Sequence, residues 1–404
     1  MPEINRRKFL IASAGVAAAG ALSAAVAVTL PDLLRAGQDR PLAAGSGILV
    51  IVTLYGGNDG INTLVPYADN AYHDARPDLA FAPQEVIRLD GQFGLNPALK
   101  GLATTWKNNQ LAIVRGVGYP KPDRSHFRSM DIWQTASPSE PVPTGWIGRW
   151  LDATGDDPLR ALNIGPVLPP LALGEKRVAA ALFPGSPRVP NNVAATLNAL
   201  GTDDPHDTRA MSEVCALYRA YNTTDRTFAP AVMARDLATD ASGPQDGPTL
   251  AADLNTVATC VKAGVPTRVY MVDLSDFDTH ADQRGAHQDL LKTLDDALTP
   301  FLRDMRSSPH GKNLVVMVYS EFGRRVAANA SDGTDHGSAG PVFIAGAPVK
   351  GGFYGDEPSL TDLADGDLKI TTDFRDVYHE LLSRSLGTDP SPSVGAGRRD
   401  LGFL

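Results

Sequence analysis

Cysteine is nearly missing from this sequence: Cys215 and Cys260 are the only two in 404 residues. That scarcity excludes a disulfide-stapled scaffold and a cysteine-rich zinc site, and leaves at most one bridge in an oxidising compartment. Positive charge is also short, with 37 Lys and Arg against 46 Asp and Glu and a net charge of −9. A net negative chain without a basic tract is poorly suited to a nucleic-acid backbone, so no nucleic-acid partner is expected. Compositional bias is absent too. At 43% hydrophobic and 21% charged, with 38 Gly and 31 Pro, the chain is neither disordered, collagenous nor a coiled coil. At roughly 100–200 residues per domain, its length fits two domains or one large α/β domain.

Residues 1–44 read as a leader and linker. Asn5-Arg6-Arg7-Lys8-Phe9-Leu10 precedes a run of small apolar residues from Ile11 to Leu30. Paired arginines before such a run match a twin-arginine export signal. A transmembrane anchor is the alternative, because about 20 apolar residues span a bilayer. The Ala and Gly content makes this run weakly hydrophobic and favours export. Small residues at 24–27 and at Pro41-Leu42-Ala43-Ala44 offer cleavage points. The expected partner is the twin-arginine export machinery, and the expected location is periplasmic or extracellular. Membrane contact is expected only through an uncleaved signal. Residues 31–46, polar and small, are expected as a linker.

The run from Gly47 to Tyr55 is continuous, apolar and β-branched, and Gly56-Gly57 closes it. This is the pattern of a buried strand in a parallel sheet. Further strands are predicted from Leu111 to Val117, Arg268 to Leu274, Asn313 to Tyr319 and Pro341 to Ala345. Helical spacing is predicted from Asn96 to Lys107, Ser125 to Thr135, Asp282 to Met305 and Thr372 to Leu386. In the third of these, Leu291, Leu294, Leu298, Phe301 and Met305 hold the i, i+3/i+4 rhythm. The alternation predicts an α/β protein, a mostly parallel three-layer α/β/α sheet, as one domain over residues 45–404. Residues 137–266 break the alternation and are expected as an insertion: an irregular cap, then helices around 208–220, 228–239 and 249–263. Trp146 and Trp150 at its start are expected in the core rather than stacked on a sugar.

Ligands of an open parallel sheet bind at the carboxyl ends of its strands. Polar clusters recur there: Gly56-Gly57-Asn58-Asp59-Gly60, Asp123-Arg124-Ser125-His126, Asp276 to His280, Ser320 to Arg325, and Gly333-Thr334-Asp335-His336-Gly337. Each alone has an ordinary explanation as a turn, an N-cap or a surface loop. Their convergence on one sheet edge points to a site. Asp, Glu and neutral His together suit Zn²⁺ or Mn²⁺, whereas Mg²⁺ or Ca²⁺ favours an all-oxygen set. The acidic and imidazole groups of these clusters are the candidate ligands. A divalent ion polarises a phosphoryl or sulfuryl oxygen. Ser125, where a loop becomes a helix, gains from the helix dipole and is the candidate nucleophile, with His126 beside it. Arg124, Arg128, Arg324 and Arg325 are candidates to clamp an anion, Arg324 with a catalytic role. The alternative for Arg325 is a solvated helix-start charge.

With these stretches, and with Leu54 to Pro66, Tyr72 to Pro77, Trp133-Gln134-Thr135 and Lys350 to Gly355, the chain resembles exported bacterial proteins of the DUF1501 family. That family lies within the alkaline phosphatase/sulfatase-like superfamily. The resemblance implies a mixed sheet between helices with a metal centre at its edge. It places a ligand at Asp59, the nucleophile at Ser125, and a ligand pair at Asp278 and His280, with Asp276 competing for the acidic role. Glu321-Phe322 stands where the superfamily carries Asp-His, so an imidazole is missing there, and His126 is a replacement. His336, beside Asp335, completes the set. Ser125 to Ser129 lacks the Pro or Ala and the correctly placed Arg of a formylglycine sulfatase signature. The expected function is an exported metal-dependent hydrolase of phosphate or related anionic esters, on a small molecule or glycan. The alternative is a non-catalytic exported binding or assembly protein on a degenerate hydrolase scaffold.

Overall fold

The computed structural model describes residues 26–165, 167–182 and 249–404. The twin-arginine segment, the helices expected around 208–220 and 228–239, and Cys215 lie outside them. The strands are β1 (Val26–Val28), β2 (Ile48–Leu54), β3 (Leu64–Val65), β4 (Ile87–Arg88), β5 (Gly94–Leu95), β6 (Leu111–Gly118) and β7 (Ala161–Ile164). They continue with β8 (Ala180–Leu182), β9 (Val269–Leu274), β10 (Leu314–Ser320), β11 (Gly340–Ala345), β12 (Gly352–Tyr354) and β13 (Thr372–Asp373). The main sheet runs β1-β8-β7-β9-β2-β10-β11-β6-β12, with β13 also on β6. A small antiparallel sheet, β3-β5-β4, stands apart.

Every residue of β2 is buried, which explains its unbroken apolar run. Its side chains alternate between two cores. Ile48, Val50, Val52 and Leu54 meet the helices Leu30–Asp39, Lys100–Lys107, Leu250–Lys262 and Gln283–Ser307. Leu49 and Ile51 belong to the opposite core, with the helices His126–Thr135, Trp146–Thr154 and Phe374–Glu380. The fold is therefore a three-layer α/β/α sandwich.

One strand sets the site. All pairings in the main sheet are parallel except those of β11, which runs against both β10 and β6. The carboxyl ends of β2, β6, β9 and β10 consequently share an edge with the amino end of β11.

Three expectations are corrected. Residues 30–39 form a helix rather than a linker: Thr29 N–H donates to Asp32 Oδ2 at 3.1 Å, and Leu33 is fully buried. The expected irregular cap contributes the helix Trp146–Thr154 and the strands β7 and β8, which extend the sheet beyond β9. Strands of three or four residues carry too short a pattern to read. The helix expected from Asn96 starts at Lys100, because Asn96 Oδ1 accepts from Ala98 N at 3.0 Å and holds a turn. Trp146 and Trp150 are core residues, Trp146 stacked on Tyr378 at 4.2 Å. Among the described residues, no helix is long and apolar enough to cross a membrane.

Candidate metal centre

Four chain segments deliver side chains to the shared edge. His126 opens the helix that follows β6; Asp278 and His280 follow β9; Glu321 and Arg324 follow β10; His336 precedes β11. The β2 loop can lie close beneath them only as glycine. Gly56 and Gly57 have φ of +115° and +74°. A Cβ on Gly56 would come within 2.5 Å of Asp278 N, and one on Gly57 within 2.3 Å of the Phe322 ring. Phe322, buried, supports His126 and His336 from below, with ring centroids 4.9 Å from each. The aromatic residue standing where an imidazole was expected thus forms the floor of the cluster.

Three imidazoles and one carboxylate converge. His336 Nε2 lies 2.9 Å from His280 Nε2, 3.0 Å from His126 Nε2 and 3.1 Å from Asp278 Oδ1. Asp278 Oδ1 is 3.0 Å from His280 Nε2, and Oδ2 is 3.5 Å from His126 Nε2. The outer ring nitrogens settle the tautomers by their partners. His336 Nδ1–H donates to the Arg124 carbonyl at 2.8 Å, and His126 Nδ1–H donates to Glu321 Oε1 at 2.8 Å. A ring that donates through Nδ1 turns, in its neutral form, an Nε2 lone pair inward. Lone pairs 3.0 Å apart repel unless positive charge lies between them. An imidazole anchored through Nδ1 to a carboxylate or carbonyl is the usual support of a metal-binding histidine. The residues fit a divalent ion, and a set of nitrogens with one carboxylate fits Zn²⁺ or Mn²⁺. Burial alone would raise the Asp278 carboxyl, but the hydrogen bond and the positive charge of Arg324 outweigh it and hold it at about 2. The hydrogen bond to Glu321 moves His126 the other way, above its ordinary value.

Four of the expected roles change. Asp59 is fully buried and turned away from the cluster. Its Oδ1 accepts from Ile61 N and Asn62 N, and its Oδ2 accepts from Arg76 at 2.6 Å and from Gln283. No lone pair is left for an ion. Glu321 is an orienting group: Oε1 takes Gly56 N–H and His126, and Oε2 takes the Ser320 hydroxyl. Asp335 lies 3.5 Å from His280 Nδ1, behind that ring rather than in front of it. Arg324, expected to clamp an anion, is buried and spends its donors on the protein. Nε reaches Gly57 O, Nη1 reaches Thr334 O, and Nη2 reaches Gly56 O, Phe277 O and Asp278 Oδ1. The other three arginines are engaged as well: Arg124 and Arg325 by Asp365 and Asp367, Arg128 by Asp131.

Ser125 caps the helix His126–Thr135 in position only. It is exposed, its hydroxyl makes no capping hydrogen bond, and its N–H donates to Asp123 Oδ1 at 2.8 Å.

Sequence reasoning missed Arg76, Gln283 and His287. His287 had a readable signal, since it falls on the buried stripe of the helix Gln283–Ser307 with Leu291, Leu294 and Leu298. It is buried and donates from Nε2 to Asn58 Oδ1 at 2.9 Å, and burial pushes its pKa down to about 4. An unfolded chain takes up that proton near 6.5. Between those values the unfolded state binds more protons, so stability falls as pH falls. Urea unfolding should show about 3 kcal/mol lost through this residue between about pH 7 and pH 4. His287→Gln should remove that part of the slope; an unchanged slope would assign the acid sensitivity elsewhere.

The class defined by this geometry is a three-layer α/β/α protein with an imidazole-rich candidate metal centre at the carboxyl edge of its sheet. Residues 189–397 match the family described as "Protein of unknown function (DUF1501)", and the chain belongs to that family. No curated protein matches the sequence. Among solved structures, it is similar to a protein of the alkaline phosphatase superfamily from Vibrio parahaemolyticus, at 13% identity and a TM-score of 0.43, over 93% of this chain and 78% of that one. It is also similar to the C-terminal periplasmic domain of EcEptC from Escherichia coli, in complex with Zn, at 10% identity and a TM-score of 0.36, over 75% and 76%. A third is the alkaline phosphatase of the Antarctic bacterium TAB5, at 8% identity and a TM-score of 0.33, over 75% and 92%.

Proposed function

We propose that this protein is an exported, metal-dependent hydrolase of phosphate or related anionic esters. The observation that carries the reading is the group His126, Asp278 and His336, whose ligand atoms all lie within 4.8 Å of one another, with His280 Nε2 beside it at 2.9 Å from His336 Nε2 and 3.0 Å from Asp278 Oδ1. These four residues would hold the ion, which when bound supplies Lewis acidity toward an ester oxygen. Glu321, the Arg124 carbonyl and Asp335 orient the imidazoles. Ser125, exposed beside His126 with its hydroxyl unused by the helix, is the group to attack the ester. The start of the ten-residue helix His126–Thr135 offers backbone N–H groups and the positive dipole end to an anion. Export rests on the paired arginines at residues 6 and 7.

Protein loaded with Zn²⁺ or Mn²⁺ and assayed on phosphate mono- and diesters should turn over at least one class. Ser125→Ala should lower that rate by several orders of magnitude, because a nucleophile and its partners act as a unit. Its stability should stay within about 0.5 kcal/mol, as for other surface substitutions. Full activity in that variant would reject Ser125 and leave the attack to water.

A second reading has its own support. All four arginines expected to grip an anion are committed to carboxylates of the protein. That arrangement favours a metal-holding binding or assembly protein without turnover. Zinc-stabilised protein that hydrolyses none of the esters would decide for it.

A further inference from the structure

The superfamily resemblance carries a second metal position around the acidic residue after the first strand, here Asp59. The residues present do not fit an ion there. A fully buried carboxylate must be met by positive charge, and Arg76 meets this one, itself fully buried. Its guanidinium is forked over three partners: Nη1 to Asp59 Oδ2 at 2.6 Å, Nη2 to Arg325 O at 2.7 Å and Nε to Val326 O at 2.8 Å. The last two are backbone carbonyls of the segment that runs on to His336. Gln283 closes the arrangement, giving its amide N–H to Asp59 and accepting the Thr334 hydroxyl. A planar cation with several donors here ties one carboxylate and one loop together, the task that an oxygen-coordinated ion would have.

Charge points the same way. Asp59, Asp278, Glu321 and Asp335 bring four negative charges to this edge, and Arg76 and Arg324 bring two positive ones. The rim pairs of Arg124 and Arg325 with Asp365 and Asp367 cancel among themselves. The deficit is two charges, which one divalent ion neutralises. A second ion would leave two uncompensated positive charges, one of them beside the fully buried Asp59–Arg76 pair.

We propose that Arg76 permanently takes the place of a second metal ion beside Asp59, so that this chain binds one divalent cation, at His126, Asp278, His280 and His336. The inference rests on the metal reading above and adds the count. Metal content of the full-length protein, measured after equilibration with Zn²⁺ and removal of loosely bound ion, should be one equivalent per chain. The double variant Asp59→Asn/Arg76→Met, which removes both buried charges together, should keep that one equivalent. Two equivalents in the unaltered protein would overturn the inference while leaving the metal reading intact. A loss of the single equivalent in a folded double variant would also overturn it, by placing the ion at Asp59. No bound ion at all would reject the metal reading and the count with it.

Discussion

His336→Ala is expected to strip the protein of its response to metal. His336 Nε2 is the atom that lies within about 3 Å of all the other donors, and its ring is fixed from behind by the Arg124 carbonyl. Losing an outer supporting group alone weakens a metal site by about 10–100-fold, so losing the central donor should cost at least the upper figure. The readout is linkage. At Zn²⁺ one-hundred-fold above its dissociation constant, the unaltered protein gains about 2.7 kcal/mol against unfolding. In the same solution a variant with affinity lowered ~100-fold gains about 0.4 kcal/mol. Equal stabilisation of the two proteins would remove His336 from the donor set.

Arg324→Met should be the most destabilising single change at this edge. One guanidinium holds four carbonyls, of Gly56, Gly57, Phe277 and Thr334, and the Asp278 carboxylate. Its removal frees three loops at once and leaves buried acceptors without donors. Breaking a buried charged network in this way costs about 3–5 kcal/mol. Arg324→Lys should recover little, because an ammonium cannot reach divergent acceptors as a planar fork does. Urea denaturation measures both variants. A loss below about 1 kcal/mol for Arg324→Met would mean that the loops are held by packing instead.

The long, largely buried strands β2, β6, β9 and β10 were legible because burial on both faces writes an unbroken apolar run. β7 and β8 were not, because three or four residues beside an edge leave no such run. Residue types also pointed to the cluster: His126, Asp278, His280 and His336 all come from loops that the strand ends bring together. Their division of labour was not legible. Glu321 and Asp278 are equally acidic in sequence. Only the fold shows that one stands behind a histidine and the other in front. The same holds for Arg324 and Arg76, whose partners are mostly backbone carbonyls, which leave no trace in residue identity.

The outermost rung of the sheet has a consequence for maturation. β1 pairs in parallel with β8, and the helix Leu30–Asp39 behind it buries Leu33 and leads into Leu42, whose N–H donates to Gly264 O at 2.8 Å. A peptidase cutting between Pro41 and Ala44 would detach that rung and helix and bare the flank of β8. A cut upstream of Val26, by contrast, would leave the rung and its helix in place, so only that position suits the leader removal expected from the sequence.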